Sequence, residues 1–139
     1  MLGVAADAST AEGRQAVLDY VNRHVGSSLD ILVNNVGTNI RKSSIDYTDE
    51  EVDQVKGLFS HLYPDSLAYS FRITTLPLLS PLQILNTNLK SFFHLTRMLH
   101  PHLARAPSAS VVLMGSVAGV HGVKSGVPYA MTKAAMTQV

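Results

Sequence analysis

Cysteine is absent from the 139 residues, so neither a disulfide framework nor thiolate chemistry is available, and a reducing compartment, the cytoplasm, is the expected setting. Charge is sparse and balanced. Eleven Lys and Arg against ten Asp and Glu leave +1, too little for a basic field that would draw nucleic acid or an anionic membrane. No apolar run approaches the ~20 residues that span a bilayer. The opening MLGVAADAST lacks the charged and long apolar regions of a secretory leader. Neither nucleic acid nor membrane is therefore expected as a partner. What is plentiful is apolar: 46% hydrophobic residues against 15% charged predict a single globular domain with a real core.

The apolar residues fall into alternating patterns. GVAADAS (3–9) reads as the end of a short buried strand, and Ser9 with Glu12 reads as a capping box opening a helix. Leu18, Val21 and Val25 continue a helical face that Gly26 stops. LDILVNNVG (29–37) and SVVLMG (110–115) are short apolar runs suited to strands buried on both faces, as in a parallel sheet. Between them lie a polar loop, TNIRKSSIDY (38–47), and a second capping pattern at Thr48, T-D-E-E. Leu85, Leu89, Phe92, Leu99 and Leu103 share one stripe of a long helix, and residues 129–139 are rich in helix formers. Strands alternating with helices predict the α/β class with a parallel sheet. His94, His100 and His102 lack a matching carboxylate pattern, so solvated side chains are expected there and no metal site. Phe92 and Phe93 are expected in the core or at a dimer interface.

Chemistry concentrates in SVAGVHGVKSGVPYAMTK (116–133). Tyr129 and Lys133 are four apart, so a helix sets them on one face a turn apart. An ammonium held there favours the phenolate of a tyrosine, which can then exchange a proton with a carbonyl or alcohol oxygen. Ser116 follows a predicted strand of a parallel sheet, where doubly wound folds gather their ligands, and its hydroxyl can reach the same oxygen. A tyrosine and lysine at this spacing also occur on ordinary surfaces; the serine and the upstream NNVG turn separate the two readings.

LDILVNNVG (29–37), NTN (86–88), GSVAG (115–119) and Y-A-M-T-K (129–133), in this order, resemble the hallmarks of the short-chain dehydrogenase/reductase family. Ser116 stands at the family's distance before Tyr129, and NNVGTNIRK followed by DYT resembles the plant tropinone reductase-like branch. The resemblance implies roles. Tyr129 would be the catalytic acid/base, Lys133 would favour its phenolate and bind the nicotinamide ribose, and Ser116 would orient the substrate carbonyl. Asn88 would hold the water linking Lys133 to solvent. Asn35 and Gly37 would line the cofactor cleft, Asp7 and Ala8 would lie beside the adenine, and Asn34 would bond neighbouring strands. The implied cofactor is NADP(H) in preference to NAD(H), the substrate a small ketone or alcohol, and the intact family form a homo-oligomer.

The resemblance also implies absences. Neither G-x-x-x-G-x-G nor G-x-G-x-x-G occurs in the sequence, so the turn that cradles a pyrophosphate is not found in it. Residues 1–139 are expected to form an incomplete dinucleotide-binding domain: a partial Rossmann-type doubly wound parallel sheet, central strands and helices only. Poor stability and little activity are expected of such a chain by itself. The alternative is a non-catalytic protein that pairs with an intact relative through the 85–103 helix.

One block fits no element. Residues 55–83, ending in TTLPLLSPLQ, interrupt a helix with greasy, proline-broken sequence, and their removal restores the family's spacing between YT and Asn88. An irregular insertion is expected. Its V-K opening, pyrimidine-codable LPLLSPL and final Gln match the coding of a splice donor, a pyrimidine tract and a splice acceptor, which suggests an intron read through in frame.

Overall fold

The computed structural model describes residues 3–51, 81–124 and 126–138. Its elements follow in the order α1 (Ala11–His24), β1 (Ile31–Asn34), a 3-10 turn (Ser44–Asp46), α2 (Pro81–Leu85), a π-helical turn (Asn86–Lys90), α3 (Ser91–Leu103), β2 (Ser110–Leu113), a second 3-10 turn (Val117–Gly119) and α4 (Val127–Met136). β1 and β2 pair in parallel, Ile31 opposite Ser110 through Asn34 opposite Leu113. The long helical segment between them makes this the strand–crossover–strand unit that a parallel pair requires.

Two local expectations shift. Residues 3–7 are exposed and pair with neither strand, so they form no strand here. Helix α1 is capped by Thr10, whose Oγ1 accepts from Gly13 N–H at 3.0 Å, and not by Ser9. Ser9 is diverted by Asp7, whose carboxylate accepts the Ser9 N–H at 2.9 Å while its carbonyl accepts the Thr10 N–H at 3.1 Å. That aspartate turn moves the helix start one residue along. The capping pattern at Thr48 forms reciprocally: Glu51 N–H donates to Thr48 Oγ1 at 3.2 Å, and Thr48 N–H donates to Glu51 Oε2 at 2.8 Å.

The core lies on one side of the sheet. Ile84, Leu85, Phe92, Leu95, Leu99 and Leu103 are buried along the α2–α3 segment, with Met136 of α4 against them. Each such side chain contributes about 1.5–3 kcal/mol when fully buried. The strands are not buried on both faces as expected: Ile31, Val33, Val111 and Val112 stay exposed, while Asn34 turns inward. Asn34 Nδ2 donates to Thr96 Oγ1 on α3 at 3.1 Å, so its side chain ties sheet to helix and does not bond a neighbouring strand. Phe93, adjacent to buried Phe92, points outward, and Val25 at the end of the α1 stripe is exposed.

His102 departs from the solvated side chain expected of it. It is buried, with Nε2 2.9 Å from Asn22 Oδ1, and its carbonyl accepts from Leu29 N–H at 3.1 Å. It thereby locks α1 and the chain entering β1 onto the end of α3. Of the block expected to be irregular, residues 81–83 are helical, with Pro81 at the first helical position, where its missing N–H costs nothing. Residues 55–80, and with them the bulk of that expectation, lie outside the described residues.

Candidate active site

Past the carboxyl end of each strand the chain turns over one cleft. β1 leads into Asn35 and Gly37, and β2 leads into Gly115 and Ser116. Helix α4 brings Tyr129 and Lys133 against the same opening, and the cleft encloses about 620 Å³. Carboxyl ends of parallel strands are where open α/β sheets hold ligands, because adjacent loops diverge there.

Lys133 is 4% exposed and lies under the cleft, its Nζ donating to the Met114 carbonyl and standing 5.8 Å from the Tyr129 ring centre. Tyr129 is half-buried. Ser116 caps the 3-10 turn, its Oγ accepting from Ala118 N–H at 3.2 Å, and its O–H has no partner among the described residues. The turn presses on α4: a Cβ on Gly119 would lie 2.8 Å from the Lys133 carbonyl carbon. Only glycine permits that approach, which holds the Ser116 turn against the helix carrying Tyr129.

Asn88 sits in the π-helical turn, where the Ser91 N–H reaches back to Asn86 O and widens the helix. It is 1% exposed. Its Oδ1 accepts from Thr38 N–H at 2.7 Å, and its Nδ2 donates to Thr38 O at 2.9 Å and to Thr132 Oγ1 at 3.2 Å. Thr132 in turn donates to the Tyr129 carbonyl at 2.7 Å. The chain beyond β1, the π turn and α4 are thus tied at one point. A Cβ on Gly37 would stand 3.5 Å from Asn88 Oδ1 and 3.9 Å from Lys133 Nζ, so Gly37 roofs both.

The loop after Gly37 is fastened independently. Lys42 Nζ pairs with Glu51 Oε2 at 2.5 Å and lies 5.0 Å from the Tyr47 ring centre, while Tyr47 O–H donates to Ile40 O at 3.2 Å. Hydrogen bonds from Lys42 and Thr48 hold the Glu51 carboxyl below its ordinary range, and burial raises the Tyr47 phenol. Gly126, at φ 73°, donates its N–H to Lys42 O at 3.1 Å and fits against Asn39, whose Oδ1 a Cβ there would meet at 2.7 Å. The loop is therefore bound to the start of α4.

Of the residues singled out in the sequence, Asn35, Gly37, Ser116, Tyr129 and Lys133 line the one cleft, and Asn88 lies beneath Gly37. Asp7 and Ala8 are not among the lining residues. Hydrogen bonds from Ser9 lower the Asp7 carboxyl, and the Ala8 carbonyl accepts from Arg14 at 2.9 Å, so both shape the start of α1. Sequence reasoning missed Thr38, Thr132 and Arg41: the first two act through contacts about 50 and 44 residues away in the chain, and Arg41 reads as an ordinary loop cation. Among the described residues no group of three or more His, Asp or Glu is placed to hold a metal, and no helix is long and apolar enough to cross a membrane.

Comparison with known proteins gives the site its context. Residues 73–139 match the family model described as short chain dehydrogenase. Two tropinone reductase homologs of Arabidopsis thaliana are 31% and 35% identical over 137 and 133 residues, 99% and 96% of this chain. The chain spans 41% and 40% of their lengths. The L-sorbose reductase of Gluconobacter frateurii, solved with NADPH and L-sorbose, superposes with a TM-score of 0.71 at 23% identity, over 99% of this chain and 41% of its own. The fold is of the Rossmann type, and the chain is similar to the short-chain dehydrogenase/reductase family of oxidoreductases. The likeness is to the tropinone reductase-like proteins of plants.

Proposed function

We propose that the cleft is the proton-transfer end of an NAD(P)-dependent site for interconverting a small ketone and its alcohol. The observation that carries this reading is the convergence of Ser116, Tyr129 and Lys133 on one cleft with Asn35 and Gly37. Ser116 O–H would orient the substrate oxygen, and Tyr129 would give a proton to it or take one from it. Lys133, a turn away, sets its ammonium 5.8 Å from the Tyr129 ring centre, beside the proposed proton-transfer group. Asn88 has both amide protons committed, so a relay water beside it would meet its remaining acceptor lone pair or its main-chain carbonyl.

The residues present fit the nicotinamide–ribose end of such a cofactor: Gly37 brings no Cβ into the space above Lys133 Nζ, which leaves room for a ribose beside a hydroxyl-binding cation. When bound, the cofactor supplies or takes up the hydride. The NADPH held by the L-sorbose reductase supports NADP(H) over NAD(H). By itself the 139-residue chain would hold the full dinucleotide weakly, because its sequence contains no glycine-rich turn for the pyrophosphate. The alternative, a non-catalytic pairing through the 85–103 helix, draws little support: Phe93 is the only large apolar residue exposed on α2 or α3 among the described residues.

The test uses reduced nicotinamide mononucleotide, which needs no pyrophosphate turn. Titrated into the isotopically labelled chain, it should shift the amide signals of Gly37, Ser116 and Lys133. Lys133→Met should abolish the shifts, and Tyr129→Phe should retain them while losing carbonyl reduction by at least about 100-fold. No shift at millimolar ligand overturns the proposal.

A further inference from the structure

We infer that the substrate end of this cleft selects a ketone or alcohol that also carries a carboxylate, with Arg41 as the residue that holds it. The inference rests on the reading above and adds the chemical class of the substrate.

Among the described residues two charged side chains line the cleft, Arg41 and Lys133, and no Asp, Glu or His joins them. Lys133 is buried at the floor with Nζ donating to Met114 O, close to Tyr129. Arg41 is exposed and makes no ion pair among the described residues. Its neighbour Lys42 shows that this is placement and not a surplus of loop cations. Lys42 is neutralised by Glu51, lies over Tyr47 and is not part of the cleft wall, whereas Asn39 and Arg41, two residues apart, both are. The loop thus sends one cation to Glu51 and the other to the cleft.

The loop is also held in place. Lys42 O accepts from Gly126 N–H, and Asn39 packs on Gly126, three residues before Tyr129. Arg41 therefore stands on a strap bound to the same helix that presents the proposed acid/base. A guanidinium offers a planar fork that matches a carboxylate, and a cleft walled by cations alone concentrates anions. Val123 and Met114 supply apolar wall for a carbon skeleton between the two polar ends. A carboxylate on Arg41 with a carbonyl toward Ser116 and Tyr129 satisfies each of these groups.

The test compares 4-oxocyclohexane-1-carboxylate with 4-methylcyclohexanone, similar in size and differing in charge, by amide-shift titration of the full chain. The carboxylate should bind about tenfold tighter at low salt, as expected of a charge-assisted hydrogen bond in a solvent-open site. Added salt should reduce the difference. Arg41→Gln should bring the two ligands to parity, Arg41→Lys should keep part of the preference, and Arg41→Glu should turn it toward 4-(dimethylamino)cyclohexanone. Parity in the native chain, a preference untouched by Arg41→Gln, or failure of both ligands to bind overturns the inference. So does an Arg41→Gln variant that loses reduced nicotinamide mononucleotide and keeps the carboxylate. Because the mononucleotide is measured separately, a failed carboxylate preference is distinct from a failed cofactor site.

Discussion

Asn88 grips the main chain of Thr38 at both polar groups, accepting from its N–H at 2.7 Å and donating to its carbonyl at 2.9 Å. The side chain replaces what a neighbouring strand would supply, at a point where the chain leaves the sheet. Asn88→Ala removes both bonds and the one to Thr132, leaving backbone groups partly buried without partners. A loss of about 2–4 kcal/mol is expected. Asn88→Asp should be no better, since it keeps the acceptor and turns an oxygen toward the Thr38 carbonyl. Urea unfolding of the two variants checks this; an unchanged midpoint for Asn88→Ala would show that the grip contributes nothing.

Gly119 and Gly115 offer a matched pair. A methyl on Gly119 meets the backbone of Lys133 and Ala134 at 2.8–3.0 Å, whereas one on Gly115 meets nothing within 4 Å. Gly119→Ala should cost about 1–3 kcal/mol by forcing the turn off α4. Gly115→Ala should stay within about 0.5 kcal/mol of the parent. Thermal or urea unfolding of both variants should show this ordering, and equal effects would contradict the close packing of turn on helix.

Glu51 predicts an acid-labile loop. Its carboxyl is lowered from 4.5 by hydrogen bonds from Lys42 and Thr48. A carboxyl lowered by folding binds fewer protons than in the unfolded chain, so its contribution is complete above about 4.5 and lost as pH falls through the lower folded value. Glu51→Gln should therefore flatten the fall in stability across that window while sparing stability changes above pH 6. Amide signals of residues 39–42 followed against pH in both proteins give the comparison.

His94 should titrate low. Burial is the larger cause, followed by the positive charges of Arg14, Arg97 and Lys90. A histidine lowered by folding contributes stability that is complete above 6.5 and is lost as pH falls through its folded value, because the unfolded chain takes up protons first. Proton NMR should place its ring midpoint below 6.5, and Arg14→Gln should move the midpoint upward. A midpoint at or above 6.5 in the parent would remove the cationic surroundings assigned to it.

Features carried by neighbours in the chain were legible before the structure. The Leu85–Leu103 stripe, the Thr48 cap and the four-residue spacing of Tyr129 and Lys133 need only helical geometry, and all three form. The Ser9 cap was misplaced by one residue because Asp7 competes for the same N–H groups. Phe92 and Phe93 could not be separated by type, since burial depends on which face meets the core. His102 looked like a solvated side chain near a helix end, and only the approach of Asn22, 80 residues earlier in the chain, makes it a buried lock.

By itself the sequence determined the order of the elements, the four-residue spacing of Tyr129 and Lys133, and the motifs that resemble the short-chain dehydrogenase/reductase family, because periodicity and spacing are local properties of a chain. Tertiary structure alone decided that Thr38 and Thr132 fasten Asn88, that the Met114 carbonyl receives the Lys133 ammonium, and that Arg41 faces the cleft while Lys42 faces Glu51. Those contacts join segments dozens of residues apart or sort adjacent cations to opposite sides. Such choices follow from where hydrogen-bonding groups meet once the helices have packed.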